Sequence, residues 1–409
     1  MRDTELYRQI LGLQAPWSVK SVDLDVAKSR VDIWLEHESG ERWKCAQCDR
    51  ELACRDHADE RVWQHLDTCQ FGTYVHARIP RVECPEHGVG QVSVPWAGPR
   101  SRFTLLMERW VIDVLQQCAT MEGTRKLLRL SWDQVWGVMH RAVARGRARK
   151  SAEIIPVLGV DEKAFRKGHS YMTVVCDAQA GCVEYVSQER KEDSLASYFR
   201  TLSPEQLAGI EAVVMDMWQP YINATHAHVP QAHEKIVFDR FHIMMHMSKA
   251  VDTVRKQEHR QLMAFDDERL KGTKYLWLYS KENLPTSRRE EFKMLFGQEL
   301  KVARAWAIKE ALRTLWDYRS ESWARRFFQR WYFWATHARL PAVRDVARTL
   351  KAHLDNIVTY CRHQVTNGVA EGLNSKIMAI KRRACGYRNP EHFKTAIYFF
   401  CGGLDLYPR

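Results

Sequence analysis

The sequence predicts a multidomain α/β protein in which a small β-rich module and a three-helix unit precede an α/β domain with an all-helical insertion. Three changes in the pattern of apolar residues support this prediction. Short alternating runs occupy residues 1–100, helical spacing begins near Phe103, and apolar strands alternate with helices between residues 154 and 239. With 409 residues, 45% of them hydrophobic, the chain is long enough for roughly two to three domains with packed cores.

The β-rich module, residues 1–100, contains closely spaced cysteine and histidine pairs. The candidate ligand set is Cys45, Cys48, Cys84 and His87. Donors separated by two residues can bind the same ion, and a small module gains much of its folding energy from a tetrahedral zinc site. Cys54 and His57 form a competing second pair that lies closer in sequence to the first. The module is therefore predicted to bind Zn²⁺, with the second pair of ligands left open at this point.

Residues 101–150 are predicted to form three amphipathic helices joined by tight turns. The apolar spacing indicates helices over residues 103–119, 121–130 and 132–150, and Ser131 with Gln134 predicts a capping box. This pattern fits a helix-turn-helix DNA-binding domain, and it also fits an ordinary three-helix packing unit with a basic tail. The basic side chains of the third helix are candidate DNA contacts: Arg141, Arg145, Arg147 and Arg149.

Residues 151–250 are predicted to form the first part of an α/β domain. Three strands joined by turns come first, and two further apolar strands follow, each preceded by a helix. A meander followed by β-α-β crossovers is the order of an RNase H-like fold. Residues 251–362 have helical spacing almost throughout and are predicted to be a helical insertion, with most of its tryptophans in the core. Residues 363–409 would complete the domain.

Carboxylates stand at the ends of the predicted strands. Asp161 and Asp216 each end an apolar run, and Glu371 lies in the first turn of a helix that begins near residue 368. An aspartate at the end of a strand often does no more than start a turn. A glutamate in the first turn of a helix, such as Glu371, often does no more than interact favourably with the helix dipole. Three clustered acids would repel one another unless hard cations separated them, so the set suggests a two-magnesium phosphoryl-transfer site. Asp239 is the alternative candidate for the second acid, in place of Asp216. Its other possible role is to cap a helix.

The chain carries a formal net charge of +12 and a pI of about 9.2, which favours a polyanionic partner such as nucleic acid. Polar and basic side chains near the three acids are further candidate DNA contacts: Lys163, Arg166, Lys167, Asn374, Lys376, Lys381, Arg382 and Arg383. His242 and His246, four residues apart on a predicted helix, lack a nearby third ligand, so packing or DNA contact is expected of them. With no signal peptide or long apolar run, we expect a soluble, cytoplasmic protein whose cysteines are reduced.

Several motifs resemble those of a known family, the bacterial insertion-sequence DDE transposases of the ISL3 family. The catalytic-domain motifs that carry the resemblance are GVDEKAFRKGHSYMTVVCD, VVMDMWQPY, IVFDRFHI and NGVAEGLNSKIMAIKRRACGYRN. The segment RVWQHLDTCQFGTYVHARIPRVECPEHGVGQVSVPWAGPRSRFT resembles the zinc-binding N-terminus of that family and the entry to its helix-turn-helix. The resemblance covers nearly the whole chain and is weakest in the helical insertion.

This resemblance implies a DDE triad of Asp161, Asp216 and Glu371 that binds Mg²⁺ or Mn²⁺, and it favours Cys84 and His87 over the competing pair as zinc ligands. It implies binding to the terminal inverted repeats, followed by cleavage and strand transfer into target DNA. Paired ends imply a homodimer or larger assembly, in a bacterial cytoplasm near the nucleoid. The alternative from another class is a zinc-dependent DNA-binding regulator that no longer cuts.

Overall fold

The computed structural model describes residues 2–166, 170–365 and 368–409. The chain divides into two compact units. The first unit consists of Met1–Lys150, Ile380–Gly386 and Tyr398–Arg409, and the second of Ser151–Ala379 and Tyr387–Ile397. The sequence placed residues 363–409 in the α/β domain, whereas two pieces of this stretch cluster with the first unit. The narrower domain boundaries drawn from the sequence remain predictions.

The first unit begins with helix α1 (Asp3–Ile10), which the sequence analysis did not predict, and continues as a sheet. The strands are β1 (Trp17–Asp25), β2 (Arg30–His37), β3 (Arg42–Lys44), β4 (Glu51–Gln64), β5 (Gly72–Cys84) and β6 (Gly88–Gln91). Their order is β1-β2-β5-β4-β3, with β6 paired to β5, and the β2–β5 pair is parallel. Residues 1–100 are therefore β-rich, as predicted.

Alternation of buried and more exposed residues explains why β2 forms a strand. Val31, Ile33 and Leu35 are buried, and the residues between them are only partly buried. Trp17 and Trp63 belong to the same hydrophobic core cluster as these side chains. The N-terminal module thus has an apolar core of its own.

Three helices complete the N-terminal part of the first unit, with bounds close to those predicted. They are α2 (Leu105–Cys118), α3 (Met121–Leu128) and α4 (Trp132–Arg149). Each begins at a residue whose side chain accepts a hydrogen bond from the backbone of the first turn: Thr104, Thr120 and Ser131. Ser131 and Gln134 form the predicted capping box. These helices occupy the residues for which the sequence predicted a helix-turn-helix.

Gly146, in α4, lies against the C-terminal residues of the first unit. A Cβ atom at this position would stand 2.7 Å from Cβ of Leu404 and 3.2 Å from the carbonyl oxygen of Asp405. Glycine is unfavourable inside a helix, but it permits this close approach of the chain. The contact fixes residues 404 and 405 beside α4.

The second unit contains a mixed sheet. Its strands are β7 (Val157–Arg166), β8 (Ser170–Asp177), β9 (Cys182–Gln188), β10 (Ala212–Met215) and β11 (Ile236–Phe238). Strands β7, β8 and β9 form an antiparallel meander, and β10 lies parallel to both β7 and β11. The order across the sheet is β11-β10-β7-β8-β9. The meander and the crossovers follow the predicted order.

Helices cover the sheet and form the long segment that follows β11. They are α5 (Glu192–Phe199), α6 (Pro204–Gly209), α7 (Gln219–His228), α8 (Ala232–Lys235), α9 (Arg240–Met263), α10 (Lys274–Leu278), α11 (Arg289–Phe296), α12 (Lys301–Arg313), α13 (Glu321–His337), α14 (Pro341–Ala352), α15 (Leu354–Val358), α16 (Tyr360–His363), α17 (Gly368–Arg383) and α18 (Pro390–Cys401). Among the described residues, no helix is both long and apolar enough to span a membrane.

The tryptophans of the helical segment divide between core and surface. Those buried in the core are Trp277, Trp306, Trp316 and Trp331. Trp323 and Trp334, both on α13, are exposed. The expectation that most of these tryptophans are buried is therefore confirmed, with two exceptions on one helix.

Candidate functional site

The cysteine and histidine pairs of the first unit meet at one point. One ligand atom from each member lies within 4.8 Å of the other three, and this Cys3His set consists of Cys45, Cys48, Cys84 and His87. Sγ of Cys84 is 3.5 Å from Nδ1 of His87 and 3.7 Å from Sγ of Cys48. Ligands held about 2.3 Å from a tetrahedral zinc ion stand roughly 3.8 Å apart. The spacing of the Cys3His set fits such an ion.

Local turns position both pairs. Cys45 directly follows β3, and its backbone accepts from the N–H of Asp49 at 3.0 Å and donates to the carbonyl of Arg50 at 2.9 Å. Cys84 ends β5 and pairs with Gly88 of β6, which has a φ of +69°. The backbone N–H of Glu86 and the imidazole of His87 lower the pKa of Cys84 to about 6. A thiol with this pKa is readily available as a thiolate ligand.

The competing pair, Cys54 and His57, has other partners. The Cys54 thiol donates to the carbonyl of Asp56 at 3.3 Å. The His57 ring stacks on His37, with the two Nε2 atoms 2.7 Å apart, and burial lowers the pKa of His57. Neither belongs to the metal-binding group found among residues 2–166, 170–365 and 368–409.

In the second unit, three acids lie side by side on neighbouring strands, and we call this line the acid edge: Asp161 within β7, Asp216 directly after β10 and Asp239 directly after β11. The prediction that Asp161 ends its strand is wrong, because β7 continues to Arg166 through its antiparallel pairing with β8. Strands β7 and β10 pair with Gly159 opposite Val214, and β10 and β11 pair with Met215 opposite Phe238. Because these strands are parallel, the same register brings the three acids to neighbouring positions. The Asp161 carboxylate accepts from the N–H of Glu162 at 2.7 Å, and that of Asp216 accepts from the N–H of Met217 at 2.6 Å.

Asp239 caps α9, because its side chain accepts from the backbone N–H of Phe241 at 3.1 Å. His242, on the first turn of the same helix, lies between two acids of the acid edge. Its Nδ1 is 3.5 Å from Oδ2 of Asp216, and its Nε2 is 3.7 Å from Oδ2 of Asp239. His246 is exposed on the next turn. The capping role proposed for Asp239 is thus present, and His242 is a neighbour of the acid edge.

Helix α17 approaches the acid edge through Asn374, whose side-chain N–H donates to Oδ2 of Asp161. Nζ of Lys163 lies 3.4 Å from the same oxygen. Glu371 is one turn before Asn374, in the first turn of α17, and is exposed. Asn367, which the sequence suggested as a turn residue at the helix start, lies outside the described residues.

The carboxylates of Asp161, Asp216 and Glu371 do not form a group as tight as the Cys3His set, since among the described residues no other cluster meets the 4.8 Å spacing. Two cations about 4 Å apart, each about 2 Å from its oxygens, would need a wider spacing than a single ion does. Carboxylate oxygens on neighbouring strands are a donor set suited to hard divalent cations. The acid edge and Glu371 are therefore a candidate site for such ions.

The four arginines predicted to contact DNA from α4 have partners within the first unit. Arg141 donates to the buried carboxylate of Glu108 at 2.8 Å. Three others contact the C-terminal residues: Arg145 donates to the carbonyl of Leu406 at 2.8 Å, Arg147 lies 4.6 Å from the Tyr398 ring centre, and Arg149 donates to the carbonyl of Tyr407 at 2.6 Å. These contacts give each guanidinium a structural role.

The other predicted DNA contacts have different surroundings. Arg166 donates to the carbonyl of Arg388, and Lys167 lies outside the described residues. On α17, the side chains of Lys376, Arg382 and Arg383 are exposed, and Lys381 is half-buried. Arg100 and Arg102, which are not among the contacts predicted from the sequence, line a cavity of about 520 Å³ beside the start of α4. Their nearness to α4 is visible only in the fold.

Comparison with known proteins gave three matching family models. The transposase model DDE_Tnp_ISL3 matches residues 158–397, the helix-turn-helix domain of transposase family ISL3 matches residues 92–143, and the zinc-finger of transposase IS204/IS1001/IS1096/IS1165 matches residues 41–87. The last range contains the whole Cys3His set. The first contains the acid edge and Glu371.

Two similar relatives span nearly the whole chain. The transposase for insertion sequence element IS1001 of Bordetella parapertussis is 28% identical over 399 residues, which cover 96% of this chain and 97% of the relative. The transposase for insertion sequence element IS1557 of Mycobacterium tuberculosis is 25% identical over 421 residues, covering 96% and 94% of the two chains.

Proposed function

Because the chain belongs to the ISL3 family of transposases and is a DNA transposase, we propose that it cleaves and joins DNA strands with a DDE triad of Asp161, Asp216 and Glu371. The observation that carries this proposal is the hydrogen bond from Asn374 to Asp161. This bond ties the helix of Glu371 to the acid edge, which supports assigning Glu371 to the same site as Asp161 and Asp216. The order β11-β10-β7-β8-β9 supports assigning the second unit to the RNase H-like fold.

The three carboxylates would hold two divalent cations, Mg²⁺ or Mn²⁺. When bound, these ions supply charge stabilisation to an in-line phosphoryl transfer. The backbone N–H groups of Glu162 and Met217 orient Asp161 and Asp216. Lys163 adds a positive charge beside Asp161, where a phosphate oxygen would gain charge during the reaction.

In the reaction that we propose, water attacks a phosphate at the end of the element and releases a 3′ hydroxyl. That hydroxyl then attacks a phosphate of the target DNA, and a new P–O3′ bond forms as the target's own P–O3′ bond breaks and releases the target 3′ hydroxyl. No covalent enzyme intermediate is needed, so catalysis rests on positioning and on charge.

The first unit would recognise the terminal inverted repeats. The Cys3His set would hold a structural Zn²⁺, and the helix-turn-helix would bind double-stranded DNA. The exposed basic side chains of α17 would contact the DNA backbone: Lys376, Arg382 and Arg383. Synapsis of two ends would require a homodimer or larger assembly.

The test is cleavage of the element's labelled terminal repeat in magnesium, with DNA binding measured on the same variants. Glu371→Gln and Asp216→Asn are expected to lower the cleavage rate by at least a thousandfold or so, with binding retained, because each removes a charge at the centre of the reaction. Asp239→Asn is the matched control, since asparagine caps a helix as well as aspartate does.

Three outcomes would contradict this assignment. If the unaltered chain and Glu371→Gln cleaved equally fast, the role of Glu371 would be only to place a favourable charge in the first turn of α17. Loss of cleavage in Asp239→Asn, with activity kept in Asp216→Asn, would make Asp239 the second acid. Binding without cleavage by the unaltered chain would favour a non-cutting regulator.

A further inference from the structure

One face of α13 carries exposed aromatic rings and basic groups in a continuous line. We call these residues the α13 stripe: Trp323, Arg326, Arg330, Phe333 and His337. They are spaced three or four positions apart, so they follow one side of the helix over about 21 Å. The opposite side packs into the core through Ala324, Phe328, Trp331 and Ala335. The helix is therefore anchored on one side and presents the α13 stripe to solvent on the other.

Single exposed aromatic side chains are ordinary, but several on one surface indicate a binding face. Trp323 is 55% exposed and Phe333 65% exposed, and Trp334, beside the stripe, is 41% exposed. Three such rings on one helix form an apolar surface larger than scattered single residues would give. The exposed rings have no role in the packing of the second unit's core, in contrast to the buried face of the same helix.

The charges of the stripe have a single sign. Arg326 lies 5.0 Å from the Trp323 ring centre, and the His337 ring stacks on Phe333 at 4.0 Å. Among the residues that the structure describes, neither Arg326 nor Arg330 forms an ion pair with an acid. The acid of this helix, Glu321, pairs with Arg362 instead. The stripe thus offers aromatic faces and uncompensated positive charge together.

We propose that the α13 stripe binds DNA, with Trp323 and Phe333 stacking on unpaired bases and the two arginines contacting the neighbouring phosphates. The inference rests on the proposed function in one respect, that the chain acts on DNA. Aromatic rings interleaved with cations are the surface that single-stranded nucleic acid requires, since every base has a face to stack and every phosphate a charge. A second copy of the chain would bring an identical positive stripe, which like charges disfavour.

The probes for the test are the element's terminal repeat as a fully paired duplex, the same duplex with one bulged 2-aminopurine, and a short oligothymidylate, each mixed with the full chain. Trp323→Ala and Phe333→Ala are each expected to weaken binding to the bulged duplex and the oligothymidylate roughly tenfold and to abolish quenching of 2-aminopurine. Binding to the paired duplex should change much less, because its bases are already stacked. Arg326→Ala should reduce the salt dependence of binding to the oligothymidylate.

Matched controls lie in the same segment. Phe265→Ala removes an exposed ring outside α13, and Arg325→Ala removes an arginine of α13 that pairs with Asp355 at 2.7 Å. Both should bind all three probes as the unaltered chain does. Phe333→Tyr, which keeps a stacking ring, should restore quenching and thereby separate stacking from any loss of folding.

Normal binding and quenching by both alanine variants would overturn the proposal. So would a shift from dimer to monomer with DNA binding intact, which would assign the stripe to a second copy. If the unaltered chain bound oligothymidylate through the stripe but ignored the terminal repeat, the proposed function would fail and this inference would stand. If the unaltered chain bound none of the three probes, both the proposed function and this inference would be wrong.

Discussion

The Cys3His set and the acid edge differ in how far apart along the chain their residues lie. In the Cys3His set, each pair lies within one turn, and the contacts between pairs span 36 to 42 residues. The contact between Asp161 and Asn374 spans 213 residues. The first site is assembled by hairpins and already has the spacing of a tetrahedral ion. The second depends on parallel strand pairing and on one polar contact from α17.

This difference predicts that loss of one zinc ligand disrupts the fold of the first unit. Loss of one acid, in contrast, should lower only the rate of the reaction. Cys84→Ser, or removal of the metal with a chelator, should abolish cooperative unfolding of the N-terminal module and binding to the terminal repeat. Structural zinc supplies on the order of 10 kcal/mol to small modules, which is more than such a core can replace. Zinc content and thermal unfolding measure the effect.

Cys54→Ser is the control, because its thiol contacts only the backbone of Asp56 among the partners found. A fall in zinc content in Cys54→Ser equal to that in Cys84→Ser would contradict the choice of ligands. An intact module in Cys84→Ser would show that the hairpins fold without the ion, and the comparison between the two sites would then lose its basis.

A second prediction separates acid sensitivity of the first unit from protonation of its metal ligands. His65 is buried, with Nδ1 2.9 Å from the hydroxyl of Thr104, and burial lowers the pKa of His65 to about 4. At pH 7 the residue is neutral both folded and unfolded. Below pH 6.5 the unfolded chain binds a proton that the folded chain does not, so stability falls as the pH drops toward 4.

The size of this effect follows from the shift, at about 3 kcal/mol between pH 7 and pH 4. The free energy of unfolding in urea, measured from pH 7 down to the lowest pH at which both proteins keep their zinc, should fall more steeply for the unaltered chain than for His65→Asn. Equal zinc content in the two proteins over that range makes the difference specific to His65. Parallel pH profiles for the two proteins would show that this histidine is not responsible.

The sequence predicted the closely spaced cysteine and histidine pairs and the succession of strands along the chain, because both follow from local pattern. Turn spacing places Cys45 near Cys48, and apolar runs mark β10, β11 and the first half of β7, which continues past Asp161 to Arg166. The competition between Cys84 and Cys54 needed the fold, since it depends on how β4, β5 and β6 pair. Resemblance to a family had favoured Cys84 and His87, the pair that the structure brings beside Cys45 and Cys48.

Other features could not be predicted, because they depend on contacts between distant residues. The arginines of α4 look like DNA contacts in the sequence, yet Arg145 and Arg149 bond to the backbone of Leu406 and Tyr407, more than 250 positions away. Likewise, helical spacing does not distinguish Trp331, which is buried, from Trp323, which is exposed. In each case the sequence does not reveal which surfaces of the chain pack against each other.

The last prediction, with the smallest expected effect, concerns Asn374. Through this residue the distant helix α17 contacts the acid edge. The sequence suggested a DNA contact, whereas the structure has its side-chain N–H donating to Asp161. A hydrogen bond to a charged group contributes about 1.5–3 kcal/mol. If Asn374 orients Asp161, Asn374→Ala should lower the cleavage rate about tenfold to a hundredfold at unchanged DNA affinity.

Ser375→Ala is the control for this variant, since that exposed hydroxyl donates only to the backbone carbonyl of Glu371 among the partners found. It should cleave at the normal rate. Weaker DNA binding with a normal rate at saturating DNA would instead assign Asn374 to the phosphate backbone. A long-range site of this kind is sensitive to one amide because Asn374 reaches Asp161 across 213 positions of the chain, whereas one local turn holds each half of the Cys3His set.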